Sequence, residues 1–143
     1  MLEKIKQFLF RRREIIVYLI FGVLTTFVNW CVYGLFVKIA GLPVAAGNVI
    51  AWTAAVIFAF FTNKIFVFQS RSWQPLKVLR EAGTFLAARI ISGIIELAGV
   101  PALYYLGLNF PLFNIEGFLA KVIVTVFVII LNFFLSKKFI FKR

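Results

Sequence analysis

The chain contains no histidine, no aspartate and a single cysteine, and its five acidic residues are all glutamates. Zinc sites, calcium loops and Ser-His-Asp triads therefore lack the ligands or the base they need. One cysteine allows no internal disulfide. These absences set aside a soluble hydrolase or metalloenzyme, and the sequence calls for no cofactor. It has no P-loop spacing either, so ATP is not expected to be a direct energy source. The chain reads as a non-enzyme.

What fills the 143 residues instead is apolar. Hydrophobic residues make up 63%, against roughly 45–50% in an average soluble chain. Phe alone occupies 19 positions, and mean hydropathy is +1.01. A soluble domain of this size would expose large apolar patches, so the bilayer is the natural solvent. Sixteen Lys and Arg residues give a net charge of +11. They punctuate apolar blocks and do not line one face, which fits orientation in a membrane better than nucleic-acid binding.

Four runs are long enough to cross the hydrocarbon: 15–37, 44–63, 82–108 and 117–136. The first is too long for a signal-peptide core and lacks a small-residue cleavage site, so it reads as a retained span. Lys4, Lys6, Arg11, Arg12 and Arg13 precede it. Lys64, Arg71, Lys77 and Arg80 lie between spans two and three, and Lys137, Lys138, Lys142 and Arg143 follow span four. The outer connections hold only Lys38, so the positive-inside rule predicts that both termini are cytoplasmic. Turn formers Gly41, Pro43, Asn109 and Pro111 keep those connections short, which makes consecutive helices antiparallel neighbours. Segment 69–80 reads as an interfacial loop anchored by Trp73. The expected fold is an all-α membrane protein of four transmembrane helices in one domain.

The two halves look related. Asn63-Lys64-Ile65-Phe66-Val67-Phe68 closes span two, and Ser136-Lys137-Lys138-Phe139-Ile140-Phe141 closes span four. Tyr18-Leu19 aligns with Phe85-Leu86. A 2+2 repeat of this kind would have parallel topology. Gly22, Thr26 and Asn29 share one face of span one, and Arg89, Gly93 and Glu96 occupy the equivalent positions on span three. Asn48 and Trp52 on span two correspond to Lys121 and Thr125 on span four.

Three ionisable residues lie inside spans, each at a cost of roughly 2.5–3.5 kcal/mol on insertion scales. Counting along the helices puts Glu96 and Lys121 at nearly the same level, facing each other across the bundle, either as a structural pair or within a site. Arg89 has no acid at its level. It either snorkels to the interface or meets an anionic group, for which a lipid phosphate entering from the inner leaflet would suit. Asn29, Asn48 and Glu96 are candidates for hydrogen bonds to sugar hydroxyls. Trp52 offers either packing or a sugar-stacking surface. Gly47, Ala51, Ala55 and Ala59 form a small-residue packing stripe, Thr25 and Thr26 can bond back to the backbone, and Cys31 reads as a small apolar filler.

The run from Tyr18 to Asn29, the Asn63–Phe68 motif and the terminal Leu135–Phe141 motif together resemble the GtrA-like family of small four-span membrane proteins. That resemblance covers nearly the whole chain. It implies translocation of a polyprenyl-phosphate-linked sugar across a bacterial or archaeal cytoplasmic membrane for cell-surface polysaccharide synthesis. Arg89 would then capture the phosphate and Lys121 receive it. At 143 residues, one chain is small for enclosing a large headgroup, so a homo-oligomer is expected. Two rival readings are a membrane anchor for a glycosyltransferase and a proton-coupled exporter using Glu96.

Overall fold

The structure, a computed structural model, describes residues 1–111, 114 and 118–141. Gly117, parts of the second outer connection, and Lys142 and Arg143 lie outside the described residues. The chain divides into two compact units, Met1–Trp73 and Gln74–Lys142. All regular structure among the described residues is helical.

The first unit starts with a ten-residue amphipathic helix, α1 (Leu2–Arg11), and continues into α2 (Arg13–Gly34), whose last turn widens into a π turn at Leu35–Ile39. Gly41 then takes φ +69°, a left-handed conformation that a side chain would strain, and lets the Leu42 N–H cap the Phe36 carbonyl at 3.0 Å. Pro43 sets the extended entry to α3 (Val44–Thr62), which ends in a second π turn, Asn63–Val67. The second unit pairs α4 (Pro75–Tyr105) with α5 (Phe118–Leu135) and a third π turn, Ser136–Ile140. The four spans are Arg13–Ile39, Val44–Val67, Pro75–Tyr105 and Leu119–Ile140, all long and apolar enough to cross a membrane.

Three boundaries differ most from the sequence expectation. Hydropathy places the third span at 82–108, but its helix begins at Pro75, which is preorganised for the first helical position. The second half of the expected interfacial loop, 75–80, is thus helix. At about 1.5 Å per residue, α4 is roughly 46 Å long, longer than a hydrocarbon core of about 30 Å. Its charged first turns need not be apolar to be helical. Spans two and four run past residues 63 and 136 because the π turns carry the helices through both Phe-rich motifs.

Packing inside each unit follows a stripe at every fourth residue. In α3 and its π turn the stripe is Gly47, Ala51, Ala55, Ala59 and Asn63, all buried, and in α5 and its π turn it is Ala120, Val124, Val128, Asn132 and Ser136, all buried. Small side chains let the partner helix approach closely, which is how helices associate where lipid is as apolar as leucine. A methyl group added at Gly47 would overlap Val37 Cγ2. Gly47→Ala is therefore expected to destabilise the first unit by roughly 1–2 kcal/mol. Val37→Ala should restore most of that stability, which a double-mutant cycle under detergent unfolding would read. Large apolar residues such as Val23, Phe27 and Trp30 point outward, where lipid would cover them. Cys31, expected as a small apolar filler, is also exposed.

Positions that the sequence aligns between the halves make similar contacts. Tyr18 packs on Phe68 at 6.5 Å and 53°, and Phe85 packs on Phe141 at 6.0 Å and 52°. The π turn is closed by Phe68 N–H to Asn63 O at 2.9 Å in one unit and by Phe141 N–H to Ser136 O at 2.9 Å in the other.

Candidate functional site

The polar groups of the second unit are set by the register of α4 on α5. Gly99 lies against Val124, where an added Cβ would sit 3.3 Å from the valine methyls. Asn132 Nδ2 donates to Ser92 Oγ at 3.2 Å. Both contacts give the same antiparallel register. Glu96 is three residues from Gly99 toward Pro75, and Lys121 is three residues from Val124 toward the α4–α5 connection. They therefore lie about 9 Å apart along the helix axes.

The expectation that Glu96 and Lys121 share a level does not hold. It assumes that α4 starts where its apolar run starts, whereas side-chain contacts fix the register. Among the described residues no ion pair joins Glu96 to Lys121; Glu96 is part-buried and Lys121 is exposed. The same register puts Arg89 and Lys121 about 20 Å apart along the axis, with Glu96 between them.

Arg89 is part-buried, and its guanidinium carbon stands 4.8 Å from the centre of the Phe85 ring. Phe85 packs in turn against Phe141. One turn along, Ser92 Oγ donates to the Arg89 carbonyl at 3.1 Å while accepting from Asn132. Arg89, Ser92 and Glu96 fall on one face of α4. Asn132 Oδ1 is buried and has no hydrogen-bond partner. An unpaired buried acceptor costs roughly 1–3 kcal/mol, so this oxygen is available to any donor that reaches it. A cation and an open acceptor one turn apart can hold an anionic group that also carries hydroxyls.

Ser92 and Asn132 do not stand out as a site in the sequence, where Asn132 reads only as satisfying its local neighbours. Their pairing depends on register, which no single-sequence pattern supplies. The one available signal is that the every-fourth stripe turns from apolar to polar at Asn132 and Ser136. Asn132→Leu keeps the branched outline in a somewhat larger side chain and removes the orphan oxygen together with the bond to Ser92. Its stability is expected to stay within about 1 kcal/mol of the parent, while any activity that uses the oxygen falls by roughly tenfold, about 1.4 kcal/mol.

The first unit holds the remaining predicted residues. Asn29 is part-buried on α2. Asn48 and Trp52 share a face of α3 and are both exposed, Trp52 at 44%. The Gly47–Val37 and Phe21–Phe66 contacts place Asn29 about 12 Å from the level of Asn48, so they do not form one cluster. Thr25 and Thr26 bond back to the carbonyls of Phe21 and Gly22, as expected.

Lys64 reads from the sequence as a loop charge. It is instead fully buried, donating from Nζ to Ser70 Oγ at 3.1 Å and to the Ser72 carbonyl at 2.9 Å, over the Trp73 ring at 5.1 Å. Gln69 takes a left-handed φ of 51°, and the Ser70 N–H caps the Lys64 carbonyl at 2.8 Å. The segment after the π turn is thus folded back onto its own lysine.

Residues 17–141 match the family described as GtrA/DPMS, transmembrane domain. The uncharacterized membrane protein YwcD of Bacillus subtilis (strain 168) is 32% identical over 126 residues, 88% of this chain and 94% of that protein. The cell wall teichoic acid glycosylation protein GtcA of Listeria innocua is 33% identical over 142 residues, 99% of this chain and 94% of its own length. GtcA of Listeria monocytogenes is 34% identical over 143 residues, with 99% and 94% covered. No solved structure matches.

Proposed function

Because the chain belongs to the GtrA/DPMS transmembrane-domain family, we propose that it moves a polyprenyl-phosphate-linked monosaccharide across the cytoplasmic membrane for glycosylation of a cell-wall polymer. The glycosylation role of the GtcA relatives supports the destination. The observation that carries the chemistry is the part-buried Arg89 one turn from the unpaired Asn132 oxygen, inside a span. A phosphate needs a cation where water is absent, and a sugar needs acceptors for its hydroxyl protons.

In this reading the termini lie in the cytoplasm, following the lysines and arginines. Arg89 takes the phosphate near that side, and its guanidinium replaces part of the missing hydration. Asn132 Oδ1 and Glu96 accept from sugar hydroxyls as the headgroup advances. Lys121 receives the phosphate about 20 Å further on. The polyprenyl tail stays in lipid throughout. No covalent bond is made or broken, so the chain acts as a transporter and not an enzyme. Downhill flux or ion coupling drives net movement, and a homo-oligomer supplies the walls that one pair of helices lacks. Asn29, Asn48 and Trp52 have no step assigned to them.

The test is reconstitution. Purified protein in liposomes containing a polyprenyl-phosphate sugar should accelerate access of an outside reagent to headgroups of the inner leaflet. Folded protein that gives no more access than empty liposomes refutes the reading and favours an anchor for a glycosyltransferase.

A further inference from the structure

α1 has no role in the chemistry above, yet its pattern is sharply two-sided. Leu2, Ile5 and Phe8 lie on one face, and all three are exposed. Gln7 lies on the opposite face and Lys4 and Lys6 flank the apolar face on either side, all three exposed. Residues 1–14 carry Lys4, Lys6, Arg11, Arg12 and Arg13 against Glu3 and Glu14. Between α1 and α2 the backbone leaves helical geometry at Arg12 alone, with φ −105° and ψ 7°. The Arg12 guanidinium lies 5.2 Å from the centre of the Phe8 ring. The next residue opens a membrane span.

We propose that α1 lies in the plane of an anionic leaflet, with Leu2, Ile5 and Phe8 in the acyl boundary and Lys4, Lys6 and Arg12 among lipid phosphates. If α1 simply extended the axis of α2 into water, three large apolar side chains would stay hydrated and the break at Arg12 would have no use. Turned into the interface, α1 buries them, and its cations meet the charge they complement. The span tethers α1 at the bilayer surface, so the surface itself is the occupant within reach. The inference is independent of any transport activity.

Full-length protein in nanodiscs tests it. Cys31→Ser removes the native thiol, and Ile5→Cys or Gln7→Cys then carries a nitroxide label. In discs containing phosphatidylglycerol, the label at position 5 should collide with oxygen and be shielded at least fivefold from a water-soluble nickel chelate, relative to the label at position 7. The double substitution Lys4→Gln, Lys6→Gln, or discs of pure phosphatidylcholine, should erase most of that shielding. Each basic residue near an anionic surface accounts for roughly a fivefold preference. Equal nickel access at positions 5 and 7 in anionic discs overturns the proposal by placing α1 in water. Shielding that comes with spin–spin broadening between labels also overturns it, by making a second copy the occupant. Shielding that persists undiminished in uncharged discs overturns the electrostatic part.

Discussion

Arg89→Gln is expected to slow headgroup flipping by roughly 100-fold while leaving the protein folded. Hydrogen bonds to a charged group contribute about 1.5–3 kcal/mol each, and a deficit near 3 kcal/mol corresponds to about 100-fold in rate. Stability moves the other way or not at all. Removing a cation from a span recovers an insertion cost of roughly 2.5–3.5 kcal/mol, and the placement of the guanidinium over Phe85 is worth only about 0.5–2 kcal/mol. Arg89→Lys should fall between the two, because an ammonium keeps the charge but not the planar fork that matches phosphate. The liposome assay reads the rate, and thermal unfolding in detergent reads the fold. Normal flux in well-folded Arg89→Gln would remove Arg89 from the site. A loss of flux accompanied by unfolding would make Arg89 a structural residue.

The second large effect is at Lys64. Its hydrogen bonds to Ser70 and Ser72, at 3.1 and 2.9 Å, and its approach to Trp73 are made by a fully buried side chain. Lys64→Met keeps the length of the stem and deletes only the ammonium. It is expected to destabilise the first unit by on the order of 3–5 kcal/mol, the charge-assisted bonds to Ser70 and Ser72 and the ring interaction being among what is lost. Lys64→Arg should not rescue it, because a fork does not fit a site shaped for a single ammonium. The direct readout is tryptic cleavage at Arg71, which is exposed within the folded-back segment. Cleavage should speed up by at least tenfold in Lys64→Met liposomes. An unchanged rate would mean that the segment is held by Trp73 stacking on Phe61 and the Gln69 turn without the lysine.

The features legible in the sequence are those that depend on one helix at a time. Four apolar runs become four helices, the Gly47–Ala59 stripe is buried as its small residues require, and Thr25 and Thr26 bond to their own turns. The features that are not legible depend on two helices or on geometry without a hydropathy signature. Glu96 and Lys121 miss each other by about two turns because register comes from contacts such as Gly99 on Val124. The Ser92–Asn132 bond joins residues forty apart and is invisible for the same reason. The start of α4 is hidden because Lys77, Arg80 and Glu81 look like loop residues, although Pro75 already marks a helix start. Lysine usually sits in water; the burial of Lys64 depends on the π turn and the left-handed Gln69 bringing two acceptors back to it.

The paired stripes imply that the halves tolerate drift by different rules. In α3 the positions Gly47, Ala51, Ala55 and Ala59 accept or refuse a newcomer by its girth. In α5 the position that the sequence aligns with Ala59 is Asn132, whose amide donates to Ser92 and leaves its oxygen unpaired. Saturation libraries should therefore sort the first set by side-chain volume and the second, at Asn132 with Ser92 and Arg89, by whether a dipole or charge survives. The two helix pairs thus carry the same every-fourth spacing under different demands, one on volume and one on polarity.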